Sequence, residues 1–206
     1  MSRSEAQGLQ NRKRRATAAR IAASAARLVA ERGLAATTVD VIADDADVAR
    51  ATFFRYYDAK EKAVAEGITG PVLDRLVTTI AAQPPHLDAM GAITAAFREI
   101  AERNPPSYGR IREFARLTRS SNILDAWVLH AYRRYETAIA EAIAPRFPHL
   151  ADHDPRPRMT AAMTMAAVRI SLDDWIRHGG SLTTRISTAL HCVTVGPPPQ
   201  GAPEVQ

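Results

Sequence analysis

The sequence predicts an all-α protein, in which a small three-helix unit containing a helix-turn-helix is followed by a larger helical region. Three observations carry that prediction. Apolar residues recur at spacings of three and four along most of the 206 residues. No stretch alternates apolar and polar residues with the period of two that a half-buried strand needs. Glycine and proline punctuate the remainder at Gly70-Pro71, Pro84-Pro85, Pro105-Pro106, Pro145 to Pro157 and Gly179-Gly180, and the stretches between the later breaks are of helix length.

The elements follow in order. Ala18, Ile21, Ala22, Ala25, Leu28 and Val29 form the apolar stripe of a first helix, which Gly33 ends. Thr37 and Asp40 have the spacing of a capping box, so a short second helix is expected to start there and run to about Asp45. Asp47 is a residue type that tolerates a left-handed turn, and a third periodic stretch runs from Arg50 to Tyr57. Ile42, Val48, Phe53 and Tyr57 can converge on the first helix, which leaves Arg50, Ala51, Thr52, Phe54, Arg55 and Tyr56 to face outward. Beyond Lys60, helices are expected at about 61–82, 87–103, 107–119, 122–145, 157–178 and 181–194. The organisation is then a basic arm over 1–15, a helix-turn-helix domain over 16–60, a helical domain over 61–195 and a tail over 196–206. With four prolines and little apolar content, that tail is expected to be disordered.

Composition narrows the classes. Hydrophobic residues make up 46% and charged residues 24%, yet no apolar run approaches the ~18 residues of a membrane span. The first thirty residues lack the apolar block and cleavage site of a secretory signal, and the one cysteine, Cys192, excludes an intrachain disulfide framework. A cytoplasmic protein with no membrane partner is expected. Residues 1–20 hold Arg3, Arg12, Lys13, Arg14, Arg15 and Arg20 against Glu5 alone, so the whole net charge of +5 is accounted for in the N-terminal arm. Such asymmetry points to a polyanionic partner at one end of the molecule; a solvated tail is the alternative.

The ionisable residues assemble no catalytic constellation. There is no Gly-rich phosphate loop, serine elbow or paired histidine-carboxylate motif, so no enzyme activity and no cofactor are expected. His149 and His153 stand four apart amid Asp152 and Asp154, which on a helix could hold a metal. The flanking prolines read as a surface loop, and no metal site is expected. Trp127 and His130 share a helix face, which suits a pocket histidine or a satisfied core one.

The stretch from about Arg14 to Val64 resembles the DNA-binding domain of the TetR family. The first helix ending in AERG, the TTVDVIA second helix, the turn at DADVA, the third helix RATFFRYY and the following DAKEKAV carry the resemblance. It implies a ligand-responsive repressor that binds double-stranded operator DNA as a homodimer. The matching positions place Arg50, Ala51, Thr52 and Arg55 along the major groove and Phe54, Tyr56 and Lys60 beside the backbone. Thr38 joins that set from the second helix, and Arg12, Arg14 and Arg15 supply phosphate contacts from the arm. The alternative for Arg50 and Arg55 is a solvated helix face. Asp47, Ala49 and Phe54 depart from the commonest family pattern, which has glycine, serine and tyrosine there. Ala49 cannot cap the third helix, at a cost of ~1 kcal/mol, and Phe54 lacks a hydroxyl for a phosphate.

In the C-terminal region, Met159 to Val168 carries no charge and is apolar on more than one side. Such a helix must pack against its own domain and against something else. The resemblance implies that this helix and Ser181 to Val193 form the dimer interface; a helix buried within a monomer is the alternative. The tail pattern, Trp175 followed by His178-Gly179-Gly180-Ser181-Leu182, resembles acyl-CoA-responsive, mycofactocin-regulator-like members of the family. That likeness implies a small-molecule effector such as a long-chain acyl-CoA in an apolar tunnel. Phe97, Phe114, Ile123, Trp127 and Met163 are the candidate lining, with Arg116 and Arg119, aligned with Arg112, at a cationic mouth. Ordinary core aromatics and a solvated arginine stripe are the alternatives. Two other functions stay open: a DNA-binding regulator or structural protein without a ligand, and a helical enzyme, which would leave the third helix unexplained.

Overall fold

The computed structural model describes residues 3–103, 108–119 and 121–193, and every regular element among them is helical. In chain order these are α1 (Arg3–Ala36), α2 (Val39–Asp45), α3 (Arg50–Tyr56), α4 (Lys60–Ala82), α5 (Ala89–Arg103), α6 (Tyr108–Arg119), α7 (Asn122–Ile143), a 3-10 turn (Ala144–Arg146), α8 (Arg156–His178) and α9 (Leu182–His191). The expected helices are all present, with ends shifted by a few residues. The tail over 196–206 lies outside the described residues, and α1 reaches back to Arg3, so the described part of the basic arm continues the first helix.

The chain forms two compact units, each drawn from separate stretches. Residues 1–75 and 107–133 make the first, and residues 76–106 and 134–206 the second. The division therefore falls inside α4 and inside α7.

In the first unit, Ile21, Ala25, Leu28, Ile42, Phe53, Val64 and Leu124 are fully buried in one cluster. Each of α1, α2, α3, α4 and α7 contributes to it, which is why two seven-residue helices can persist although neither would be stable alone. Gly33 (φ 79, ψ 165) breaks α1, and Asp47 takes the left-handed turn (φ 50) between α2 and α3 as its residue type allows. The capping box is corrected by one residue. Thr38 is the N-cap, its hydroxyl accepting from the Val41 amide at 3.3 Å, whereas the Thr37 hydroxyl donates to the Gly33 carbonyl at 2.8 Å. Thr37 is completely buried beneath the end of α1, so its oxygen serves the helix behind it. Arg27 ties α1 to α2 through Asp45, and that hydrogen-bonded ion pair holds the Asp45 carboxyl below the usual carboxylate range.

In the second unit, Ile80, Ile93, Ala96, Ile139, Ile143, Ala161, Trp175 and Leu190 are buried. Helix α9 packs against α8 and α5. The turn between α8 and α9 uses Gly179 (φ 70) and Gly180 (φ 84), and Trp175 Nε1 donates to the Gly180 carbonyl at 3.0 Å. That bond ties the Trp175 ring to the turn five residues ahead at Gly180. The end of α4 is capped from a distance. Arg146 Nη1 donates to the carbonyls of Pro84 (2.9 Å) and Leu87 (3.1 Å), and Nη2 to those of Ile80 (3.1 Å) and Gln83 (2.8 Å). One guanidinium thus reaches four carbonyls at and beyond a helix C-terminus, two of which, those of Ile80 and Pro84, also accept the amides of Gln83 and Leu87. Helix α8 is two-faced. Thr160, Ala161, Thr164, Ala167, Ser171 and Trp175 are buried within the unit, while Met159 and Ile170 are 55% and 50% exposed.

Candidate nucleic-acid interface

Helix α3 buries one side and presents the other. Phe53 and Tyr57 lie in the core, where the Tyr57 hydroxyl donates to the Ala18 carbonyl of α1 at 3.0 Å and fixes the far end of the helix. Arg50, Ala51, Phe54 and Arg55 are exposed, and Thr52 and Tyr56 half-buried. Phe54 is 47% exposed although it stacks edge-on against Phe53, with ring centroids 5.5 Å apart. An aromatic ring left that open on a helix between two arginines suits contact with sugar and base edges better than it suits a core.

The arginines are oriented by neighbours. Arg50 donates through Nη1 to both carboxylate oxygens of Asp40, ten residues earlier on α2, and its guanidinium carbon lies 5.5 Å from the Phe54 ring centroid. The guanidinium carbon of Arg55 lies 5.5 Å from the Tyr56 ring centroid. Ala49 gives α3 no side-chain cap, as its methyl group requires.

Around this helix the other expected residues fall in separate places. Arg12 is exposed on α1. Arg14 and Arg15 line a recess of about 410 Å³ together with Asn11, Ala18, Tyr56, Tyr57 and Glu66. Thr38 is exposed beyond its capping bond. Lys60 is more committed than its sequence position implies, because its ammonium donates to the carbonyls of Leu34 (2.8 Å) and Thr37 (2.9 Å) at the end of α1. An ammonium has three donors, so one is left for an acceptor outside the chain.

Sequence reasoning missed Asp40, Asn11 and Glu66 as parts of this surface. Asp40 reads locally as a first-turn acid of α2, and only the fold brings it to Arg50. The N-terminal arginines read as a basic arm, and only their place on helix α1 puts Asn11, Arg14 and Arg15 in one recess with Tyr56.

The candidate effector residues divide between the two units. Phe114, Ile123 and Trp127 belong to the first, where Phe114 and Trp127 pack against its core and Ile123 is 58% exposed. Trp127 lies edge-on to His130 with centroids 5.9 Å apart, and Lys62 Nζ sits 4.6 Å from its ring centroid. Arg116 is exposed on α6; Arg119 ends that helix, and its side chain lies outside the described residues. Phe97 and Met163 are half-buried in the second unit. Among the described residues no group of three or more His, Cys, Asp or Glu side chains could hold a metal, and His149 (φ 54) and His153 (φ 64) lie in non-helical backbone. No described helix is long and apolar enough to cross a membrane.

Comparison with known proteins agrees with this geometry. Residues 21–66 match the family described as bacterial regulatory proteins, tetR family, and residues 87–197, just over half of the chain, match the MftR C-terminal domain. The HTH-type transcriptional regulator TcmR of Streptomyces glaucescens is 27% identical over 181 residues, 82% of this chain and 76% of TcmR. Among solved structures, Thermus thermophilus FadR, a TetR-family transcriptional repressor in complex with lauroyl-CoA, aligns with a TM-score of 0.56 at 22% identity. The alignment covers 89% of this chain and 98% of that one. A TetR transcriptional regulator from Rhodococcus sp. RHA1 aligns with a TM-score of 0.55 at 18% identity, over 87% and 96% of the two chains.

Proposed function

The chain belongs to the tetR family of transcriptional regulators, with an MftR-type C-terminal domain, and from that premise we propose that it is a dimeric repressor released from its operator by an acyl-CoA. The exposed face of α3 carries the DNA-binding part. Arg50, Thr52, Phe54 and Arg55 project from a helix whose opposite side is locked into the core by Phe53 and Tyr57, so donors and an apolar ring are held ready for a major groove. Arg14, Arg15 and the third donor of Lys60 are the phosphate contacts in this reading. Dimerisation through α8 and α9 would cover Met159 and Ile170, and a two-fold dimer would set the two α3 helices roughly 34 Å apart on one side of the duplex.

The effector part rests on the C-terminal domain match and on the lauroyl-CoA held by the FadR neighbour. An acyl chain would need an apolar lining, and Phe97, Phe114, Ile123, Trp127 and Met163 are the side chains the sequence offers for it. Arg116 and Arg119 would meet the nucleotide phosphates. Sedimentation and selection from a randomised duplex pool test the reading together. A dimer that enriches a two-fold-related sequence, and loses it on addition of lauroyl-CoA, is expected. A micromolar monomer, or a pool without enrichment, would overturn it.

A further inference from the structure

We propose that Asp40 is the positioning residue that makes Arg50 a reader of guanine, so that α2 shares in sequence selection through a side chain that need not touch a base. The inference rests on the DNA-binding reading above. Asp40 takes both of its oxygens to Nη1 of Arg50, and no described residue hydrogen-bonds Nη2 or Nε. Those two nitrogens form one edge of the planar guanidinium, with parallel N–H groups that match the O6 and N7 acceptors of guanine in the major groove. Phe54 lies beside the same group, its ring centroid 5.5 Å from the guanidinium carbon, so the group has a carboxylate at one end and an aromatic ring next to it.

The charge of Asp40 makes this arrangement selective. Both partners are 59% exposed, so the pair gains little stability from solvent-screened attraction. A carboxylate on the surface that meets DNA repels the phosphates of every duplex alike. It is offset only where an oriented Arg50 finds a guanine edge. Asp40 should therefore weaken random binding and sharpen specific binding, two effects of opposite sign that a purely structural residue would not produce.

The test is selection from a randomised duplex pool by the full chain as wild type, Asp40→Asn and Arg50→Ala. Asp40→Ser, a second uncharged variant, replaces Asp40→Asn if thermal melting shows that variant unfolded. Wild type is expected to enrich one guanine per half-site that Arg50→Ala no longer selects. In Asp40→Asn the preference for that guanine should fall at least fivefold, the preferences at other positions should stay, and affinity for random duplex should rise. Replacing that guanine by 7-deazaguanine should weaken wild type and leave Asp40→Asn unchanged. If Asp40→Asn keeps the wild-type guanine preference, or raises affinity for every sequence equally, Asp40 does not position Arg50. If wild type enriches nothing, the DNA-binding reading itself fails.

Discussion

A β-carbon placed on Gly67 would overlap the carbonyl oxygen of Ala22, so α4 crosses α1 with backbone against backbone. The crossing joins the helix that follows α3 to the helix that carries the N-terminal arginines. Gly67→Ala should gain ~1 kcal/mol from helix propensity and lose more to a clash with backbone that cannot rotate away. A net loss of about 1–2 kcal/mol is expected, read as a fall of several degrees in Tm. Gly8→Ala, with no neighbour within 4 Å, should leave Tm where it is or raise it slightly. Equal melting of wild type and Gly67→Ala would mean that the two helices do not meet there.

In the proposed reading Arg55 contacts a base and not only the phosphates, and its substitution tests that role. It is exposed on α3 beside Tyr56, and a bidentate base contact carries ~1–3 kcal/mol of discrimination. Arg55→Ala should weaken a selected operator about tenfold or more while random duplex of the same length changes little. The same loss on both would turn Arg55 into a phosphate contact.

The recess lined by Arg14, Arg15 and Tyr56 predicts a different signature. Changing both arginines to alanine should lower affinity on all sequences and flatten the logarithmic dependence of affinity on salt by about two, one for each phosphate no longer neutralised. A salt slope identical to wild type would assign the two arginines to solvent.

Arg146 is a stability residue of the second unit. Arg146→Ala removes the charged donor shared by four carbonyls, of which those of Ile80 and Pro84 keep a backbone amide, and should cost about 1.5–3 kcal/mol because water only partly replaces the guanidinium. Arg146→Lys should recover part of that loss, since an ammonium is a point donor and cannot reproduce the planar fork. Thermal melts of the three proteins should rank wild type first, Arg146→Lys second and Arg146→Ala last. Wild-type melting of Arg146→Ala would remove the assignment.

What the sequence made legible is what local periodicity encodes. Ile21, Ala25 and Leu28 announce α1 by spacing, Asp47 announces the turn by its tolerance of positive φ, and Ala49 announces an uncapped α3 by its side chain. The third-helix face was legible because one helix holds all of it. Interactions between distant residues were not. Nothing in the neighbourhood of Arg146 points to Ile80 or Leu87, Asp40 and Arg50 look like unrelated surface charges, and Lys60 reads as a free cation until the end of α1 is beside it. Thr37 and Thr38 show the limit at one-residue scale. Either could cap α2, and burial of Thr37 under Gly33 decides. The candidate effector residues are the least legible, since aromatic and methionine side chains at helical spacing serve a core as well as a tunnel, and they fall in two units.

Ligand-gated release requires thermodynamic linkage between effector and operator. An effector shifts a protein between shapes only by its difference in affinity for them, so a hundredfold loss of operator affinity requires ~2.7 kcal/mol of preference for the shape that does not bind DNA. The coupling is reciprocal. Calorimetric titration of lauroyl-CoA into the protein alone, and into the protein saturated with its selected operator, measures it from the ligand side. Lauroyl-CoA should bind more weakly in the presence of operator, by the same factor that lauroyl-CoA weakens operator binding. Lauroyl-CoA affinity that is identical with and without operator would contradict ligand-gated release.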